Sequence, residues 1–256
     1  MSIPSVTANF AYTAAIQAKL ADMISSERLR SYIIASGGSL ASALELYVWN
    51  CSASAALYGP LQSVEIALRN AIHNALVVYI SPDWPTDPKF LAIDPRLAQG
   101  IVDARRYVLQ TWVRKNTPPE TPASDIVVVR TALEAQATAG GTTVLATSRI
   151  VAELSCGFWV AMFKNQYQHT LFGPVLSRVL PPRVKRGHAN AALTRLKDLR
   201  NRIAHHEPIH HLALGSLYGD ILQVAGWLSP ELSQWIGYHS RCPLLIDDKP
   251  RQRQQF

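Results

Sequence analysis

Residues 199–208, with the sequence Leu-Arg-Asn-Arg-Ile-Ala-His-His-Glu-Pro, bring guanidinium, amide and imidazole groups close together. Pro208 cannot continue a helix for long, so we predict that this stretch is the end of a helix. Asn201 lies four positions before His205 and shares its face, whereas Arg200 is rotated by about 140° and lies about 7.5 Å along the axis. A phosphodiester fits between such groups, because a guanidinium binds its charge and an imidazole moves a proton. The spacing is even better suited to two such helices that face each other.

A second set of polar groups lies on the otherwise apolar helix predicted over residues 60–80. This polar stripe consists of Glu65, Arg69 and His73, spaced by four residues, with Asn70 on its flank. One interpretation is an ion pair between Glu65 and Arg69, which would stabilise the helix by a few tenths of a kcal/mol. However, a helix this apolar should be mostly buried, and buried charges need partners. The polar stripe could therefore brace the segment of Arg200 and His205, or line its groove.

The composition is that of a basic protein with enough apolar residues for a large core. The chain has 256 residues, of which 48% are hydrophobic, and a net charge of +7. Such a charge favours nucleic acid as a partner first and an anionic membrane surface second, although a basic protein with neither partner has the same composition. Three cysteines without CxxC spacing favour a reducing cytoplasm over a disulfide framework. We find no signal peptide pattern and no apolar run long enough to span a membrane, and expect a cytoplasmic protein without a membrane partner.

Helical periodicity predicts an all-α fold with one domain at residues 1–246 and a polar, frayed tail at residues 247–256. A short helix is predicted through Tyr32. The other helices are predicted at residues 9–23, 39–57, 60–80, 96–115, 125–137, 147–167, 188–206, 214–228 and 230–236. Breaks are predicted at Gly37-Gly38-Ser39, Gly59-Pro60 and Gly140-Gly141. Loops are predicted at residues 81–95, 117–122 and 181–186, and the last of these is strongly basic.

Three stretches of the sequence resemble the Abi-like (abortive infection) family of bacterial phage-resistance proteins, within the HEPN superfamily. The main one is Leu-Arg-Asn-Arg-Ile-Ala-His-His-Glu-Pro-Ile at residues 199–209. The others are Glu-Ile-Ala-Leu-Arg-Asn at residues 65–70 and Gly-Phe-Trp at residues 157–159. On packing grounds alone, we expect the last of these in the core, with Gly157 permitting close approach of helices. The resemblance covers most of the chain from Leu44 to Trp235.

The resemblance implies a HEPN-like helical bundle with additional helices, formed as a homodimer. In HEPN ribonucleases an arginine is followed, after four to six residues, by a histidine, and two such segments face one cleft. These enzymes cut RNA without a metal ion or another cofactor. Abi-like members resemble toxins or defence effectors, and some relatives work with a small non-coding RNA or an antitoxin partner.

The expected chemistry is attack of a ribose 2′-OH on the adjacent phosphate. His205 would move the proton, since the reference pKa of imidazole, about 6.5, suits an acid or a base. Arg200 would bind the phosphate, and Asn201 would orient either His205 or the phosphate. One histidine cannot easily be base and acid at once, which is a physical reason to expect a dimer. The residues expected behind these groups, or in contact with RNA, are Glu65, Arg69, Asn70, His73, Arg202 and His206.

Three other interpretations of the same residues remain open. His205 could simply interact with the carbonyl groups at the end of its helix. A metal site could form from the histidines of this region, which are His205, His206, His210 and His211. Finally, Arg200 and the basic loop at residues 183–186 could hold RNA without cleaving it.

Overall fold

The computed structural model describes residues 10–139 and 143–250, which form an all-α fold with no strand among them. The α-helices of these residues are α1 (Ala14–Ile24), α2 (Ser26–Ala35), α3 (Leu40–Tyr79), α4 (Pro88–Leu91), α5 (Pro95–Asn116), α6 (Ile126–Thr138), α7 (Thr147–Glu153), α8 (Cys156–Ala161), α9 (Arg186–Ala204), α10 (Leu214–Leu228), α11 (Pro230–His239) and α12 (Cys242–Asp247). In this part of the chain, no helix combines the length and the apolar character that crossing a bilayer requires. The predicted break at Gly140 and Gly141 and residues 251–256 of the predicted tail lie outside the described residues.

Polar side chains begin several of these helices. Ser25 and Ser39 accept hydrogen bonds from backbone N–H groups in the first turns of α2 and α3, as their positions in the sequence predict. Asp94 does the same for α5. Asp125 also occupies the position before α6, but its side chain makes no capping bond to the backbone. A side-chain cap therefore places the start of α3, on which α2, α8, α9, α10 and α12 pack.

α3 passes straight through Pro60, so the predicted break at Gly59-Pro60 is wrong. Proline has no N–H, and the carbonyl of Ala56, four residues earlier, therefore loses its partner within the helix. The thiol of Cys242 donates to this carbonyl, with Sγ 3.1 Å from the oxygen. Leu57 and Leu61, on either side of the proline, are both buried. A replacement donor and a continuous apolar face together allow one helix where two were predicted.

One face of α3 lies at the centre of the fold and contacts α2, α8, α9, α10 and α12. Large side chains from several of these helices and from the Pro-rich loop are fully buried around it, among them Tyr32, Trp84, Trp159 and Phe163. Because α9 packs directly on α3, the predicted Arg-x4-His segment lies beside the polar stripe of α3. The fold thus brings together all three stretches that carry the resemblance, because α8, which holds residues 157–159, contacts both α3 and α9.

The buried helix predicted at residues 147–167 is divided, so that prediction is wrong in its extent. α7 ends at Glu153, and Ser155 adopts an extended conformation while its hydroxyl accepts from the N–H of Phe158. This cap starts α8, which ends at Ala161 and is followed by a 3₁₀ turn and a π-helical turn through Phe172. A local serine cap therefore overrides the continuous apolar pattern.

The close helix contact predicted at Gly157 occurs at Gly100 instead. A Cβ built on Gly157 would meet nothing closer than the Ser155 hydroxyl, at 3.6 Å. A Cβ built on Gly100 would lie 2.9 Å from the ring of Phe158. The aromatic ring of α8 thus packs directly on the backbone of α5, and the glycine that permits it is on the partner helix.

Candidate functional site

α9 ends in a Schellman motif built from its last residues and the two that follow. His205 is the C-cap residue, and His206 has φ 56°, in the left-handed region where glycine is commonest. The N–H of His206 donates to the carbonyl of Ile203 at 3.1 Å, and that of Glu207 donates to the carbonyl of Arg202 at 2.8 Å. This arrangement turns the chain sharply just before Pro208. We call residues 205–208 the α9 corner, and both of its imidazoles are exposed.

An ion pair closes the same turn. Nη1 of Arg202 lies 3.3 Å from Oε2 of Glu207, and both side chains are about half exposed. A continuous helix would place Arg202 on the same face as His206, but His206 lies beyond the last helical residue. His206 is therefore off the face of Arg202, and the Arg202 side chain instead stabilises the turn that displays the histidines.

Arg200 is bound by the polar stripe of α3. Its Nε lies 3.2 Å from Oε2 of Glu65, with 35% and 25% of the two side chains exposed. Glu65 makes this contact across helices, and the alternative ion pair with Arg69 is not formed. Neither Nη atom of Arg200 has a hydrogen-bond acceptor within the described ranges. The guanidinium is thus fixed by one edge, and its other edge is available for a phosphate oxygen.

A buried thiol, that of Cys156, lies beside this ion pair. Cys156 lines a small gap of about 20 Å³ together with Glu65, Lys197 and Arg200. Burial, and next the carboxylate of Glu65, raises the pKa of the Cys156 thiol to about 11. The uncharged thiol packs against the ion pair, so the reactive groups available at this end of α9 are the guanidinium and the imidazoles.

The far end of the polar stripe holds the Pro-rich loop. Nδ1 of His73 accepts a hydrogen bond from Nε1 of the fully buried Trp84 at 3.0 Å. Burial, assisted by the charge of Arg69, lowers the pKa of His73 and keeps its ring neutral. His73 lies about 12 Å along the helix from Glu65, and Asn70 between them is exposed. The structure thus places Glu65 at Arg200, and His73 at the loop.

Asn50 supports the α9 corner from α3, although the sequence analysis did not single it out. Its Oδ1 accepts from the backbone N–H groups of Ile209 at 2.8 Å and His210 at 3.0 Å, and the residue is 5% exposed. A sequence signal was present, because Asn50 is a polar residue on the face of α3 that Leu46 and Ala53 share. Buried amides at such positions need partners, and here the partners are the residues after the corner.

Arg28 supports the α9 corner from α2 and was also missed. Its Nη1 donates to the carbonyl of His206 at 2.9 Å. No local pattern marks this residue, since it occupies an exposed position of α2 far from the corner in sequence. Together, Arg28 and Asn50 fix the backbone on both sides of the turn that carries His205 and His206.

Two depressions flank the α9 corner. One, of about 900 Å³, is lined by His206 and Glu207 and by three tyrosines, Tyr32, Tyr47 and Tyr58. We call it the tyrosine cavity. The other, of about 550 Å³, is lined by α2 and by His205, His206 and Pro208. We call it the outer groove. Neither is lined by Arg200, which instead lines the small gap beside Cys156.

The four histidines of this region do not converge on a metal ion. His205 and His206 are exposed on the corner, whereas His210 is 6% exposed and packs against the ring of Tyr32 at 4.7 Å. Burial, followed by the charges of His211 and Lys249, lowers the pKa of His210. No group of three His, Cys, Asp or Glu side chains that could hold a metal ion occurs in residues 10–139 and 143–250.

The first residues of the predicted tail are docked, which corrects the expectation that it frays from residue 247. Lys249 donates from Nζ to the carbonyl of His210 at 2.6 Å and lies over the ring of Trp49 at 5.4 Å. Nε1 of Trp49 donates to the carbonyl of Leu245 in α12 at 2.7 Å. The end of the described chain therefore reaches the segment that follows the α9 corner.

The cations of the basic loop at residues 181–186 differ in their contacts. Arg186 is the first residue of α9, and its guanidinium donates to Gln168, to the carbonyl of Phe163 and to Asn165. Arg183 and Lys185 are exposed. Only these two cations of residues 183–186 are available to a phosphate backbone.

Protein-family models, curated proteins and solved structures were each compared with this chain, and none matches. The residues at the end of α9 and their contacts are therefore what indicate a function. Likeness to the Abi-like HEPN proteins stays a prediction from the sequence.

Proposed function

We propose that the chain is a metal-independent endoribonuclease of the Abi-like HEPN type, a defence or toxin effector that cleaves RNA. The observation that carries this proposal is that the guanidinium of Arg200 is paired on one edge only. Glu65 of α3 fixes its guanidinium through Nε, the Nη edge is free, and the same helix ends in the exposed imidazole of His205. A phosphate clamp and a proton carrier on one rigid helix are the two parts that the reaction needs.

In this mechanism the ribose 2′-OH attacks the neighbouring phosphorus and the bond to the 5′ oxygen breaks. The products are a 2′,3′-cyclic phosphate and a 5′-OH. His205 takes the proton from the 2′-OH or returns one to the leaving oxygen. Arg200 stabilises the charge that builds up on the phosphate oxygens. The backbone carbonyl of Asn201 accepts from the N–H of His205 at 2.9 Å, which fixes the residue that carries the imidazole.

A second copy of the chain completes the proposed site. In one chain, His205 lines the outer groove while Arg200 lies outside both depressions. Two chains that face each other across the ends of α9 would supply two imidazoles, one as base and one as acid, and two guanidiniums. The net charge of +7 favours association of such a dimer with RNA.

The proposal is tested with purified protein and a labelled RNA, in the presence and absence of a chelator. We expect wild-type cleavage to resist the chelator and to leave 2′,3′-cyclic phosphate ends. His205→Ala should abolish it, and His169→Ala, which removes an exposed histidine elsewhere, should not. Loss of a proton-transfer group typically costs about 10²–10⁴-fold in rate.

Other results would contradict the proposal. Cleavage that the chelator removes would indicate a metal-dependent enzyme. Cleavage that persists in His205→Ala would indicate that the imidazole plays no part in the chemistry. A monomer at the concentrations that cleave RNA, measured by sedimentation, would contradict the composite site.

A non-catalytic RNA-binding protein that holds a small non-coding RNA is the second candidate. It is favoured by the exposed cations Arg183 and Lys185 at the start of the helix that carries Arg200. Binding that weakens steeply with salt, without any cleavage by the wild type, would support it. Isolation of the protein from its host with a bound RNA or a bound antitoxin protein would name the partner.

A further inference from the structure

The tyrosine cavity is a built pocket of about 900 Å³ between the end of α1, α2, α3 and the end of α9. Its long wall is one stripe of α3. Tyr47, Cys51, Ser54 and Tyr58 recur at intervals of four, three and four residues, so their side chains share a face. Tyr47 and Tyr58 are about 16.5 Å apart along the axis. The volume is within the range, about 300–1,000 Å³, of pockets that bind small organic molecules.

The chemistry of the lining suits a flat aromatic group attached to an anion. Tyr58 is 45% exposed at the edge of the cavity, where its ring can stack on a ligand. The half-buried Tyr47 adds a phenol hydroxyl to the lining, which is a neutral hydrogen-bond donor. Rings for stacking and neutral donors for base edges are the features with which proteins hold single, unstacked nucleobases.

A cation without an acidic partner lies at the same cavity. Arg28 lines it, and its charge acts on both Tyr32 and Tyr47. Nη1 of Arg28 is used for the carbonyl of His206, and no carboxylate pairs with this guanidinium in the described part of the chain. The carboxylate of Glu207, which also lines the cavity, is paired with Arg202. Arg28 is therefore able to bind an anion.

The cavity is continuous with the proposed site of cleavage. Arg28, His206 and Glu207 line both the tyrosine cavity and the outer groove, and His205 lies in the outer groove. A strand with its scissile phosphate at His205 would pass over Arg28, and its neighbouring nucleotide would enter the cavity.

We propose that the tyrosine cavity binds one unstacked nucleotide of the RNA strand, with Tyr58 stacked on the base and Arg28 on the phosphate. The proposal rests on the proposed function, because RNA is its ligand, and it adds to that function a source of nucleotide preference. Since stacking tolerates every base, the preference arises from the hydroxyl of Tyr47 and from the Nδ2 group of Asn50, whose Oδ1 is already occupied by two backbone N–H groups.

The test measures binding of ribonucleoside monophosphates and of the matching nucleosides to the full-length chain by ligand-observed NMR titration. We expect the wild type to bind at least one monophosphate more tightly than its nucleoside. Tyr58→Ala should weaken binding of both by about tenfold or more, the usual size of a base–aromatic stack, while Tyr58→Phe should retain it. Tyr107→Ala, which removes a tyrosine of similar exposure on α5, should change nothing. Arg28→Lys should reduce the preference for the monophosphate.

The outcomes separate this proposal from the proposed function. Failure of all four monophosphates to bind the wild type would overturn the pocket, even if RNA were cleaved. Equal effects of Tyr58→Ala and Tyr107→Ala would overturn it as well. Nucleotide binding that depends on Tyr58, in a protein that does not cleave RNA, would leave the pocket in place and overturn the proposed reaction.

Discussion

At the scale of single residues, the contact between Arg200 and Glu65 decides what the α9 segment can do. An arginine with both edges paired to carboxylates would be a structural group, and an arginine without any partner would be a mobile one. Here Nε is paired and the Nη edge is free, so the guanidinium is held in place but not neutralised on all sides. Such a guanidinium can still bind an anion through its Nη edge.

Removal of the carboxylate tests this interpretation. Glu65→Gln should lower the free energy of unfolding by about 1 kcal/mol or less, because the ion pair is partly exposed. The same change should increase RNA affinity and make its salt dependence steeper by up to about one counterion. Asp220→Asn is the control, since Asp220 pairs with Arg195 on another face of α9. An equal effect of both variants on RNA binding would show that Arg200 has no special role.

His206 provides a prediction about the backbone of the α9 corner. Its φ of 56° is unfavourable for a residue with a Cβ, so His206→Gly should raise the free energy of unfolding by up to about 1 kcal/mol. His205 has φ −92°, and His205→Gly should lower stability instead, because glycine has more freedom to lose. Urea denaturation of both variants measures the difference. Stabilisation by neither glycine would contradict the role assigned to the left-handed turn.

At the scale of elements, α3 owes its continuity to a contact outside the helix. Pro60 removes one hydrogen bond, and the thiol of Cys242 in α12 supplies a donor to the carbonyl of Ala56. The same helix presents Asn50 to the residues after the α9 corner and Glu65 to Arg200. A break at Pro60 would change the angle between these two supports, so the unbroken helix sets the geometry of the site.

A double-mutant cycle between Pro60 and Cys242 tests the replacement of the donor. Cys242→Ala alone should lower the free energy of unfolding by about 1–3 kcal/mol, since a carbonyl loses its partner. In the Pro60→Ala background the cost should be smaller by about 1 kcal/mol, because the new N–H takes the carbonyl of Ala56. Cys51→Ala, at an exposed position of α3, is the matched control. An identical cost of Cys242→Ala in both backgrounds would contradict this account of the helix.

For the whole molecule, two neutral histidines make the stability of the fold depend on pH. His73 holds the Pro-rich loop, and His210 is part of the segment that follows the α9 corner and is bound by Asn50. Burial is the first cause that lowers the pKa of each. The unfolded chain takes up protons at these positions near the reference pKa of about 6.5, whereas the folded chain does so only at lower pH.

Stability should therefore be greatest above about pH 6.5 and should fall as the pH is lowered from there towards the depressed pKa values of the folded state. His73→Asn keeps an acceptor for Trp84 but does not titrate, so it should reduce the slope of stability against pH. A fully shifted group contributes at most about 1.4 kcal/mol per pH unit. His169→Asn, at an exposed position, should leave the slope unchanged, and denaturation at several pH values measures all three chains. A slope that His73→Asn does not alter would contradict the neutral state assigned to His73.

Local signals in the amino-acid sequence predict the helical class and the ends of several helices. The serine at residue 39 and the proline after the two histidines act on the few residues next to them, and apolar spacing within one turn predicted α5 and α9. These signals are local, because a cap or a proline changes only the hydrogen bonds of its own turn. They were enough to place Arg200 and His205 on one helix and to predict where that helix ends.

Which side chains meet depends on how the helices pack against each other. Glu65 and Arg200 are 135 residues apart, Arg28 is 178 residues from His206, and Cys242 is 186 residues from Ala56. The sequence suggested that the stripe of α3 could brace the α9 segment, but it equally allowed Glu65 to pair with Arg69 on its own helix. Packing α9 against α3 settled this choice, because a carboxylate pairs with whichever cation the buried apolar faces bring to it. No spacing along the chain records that arrangement.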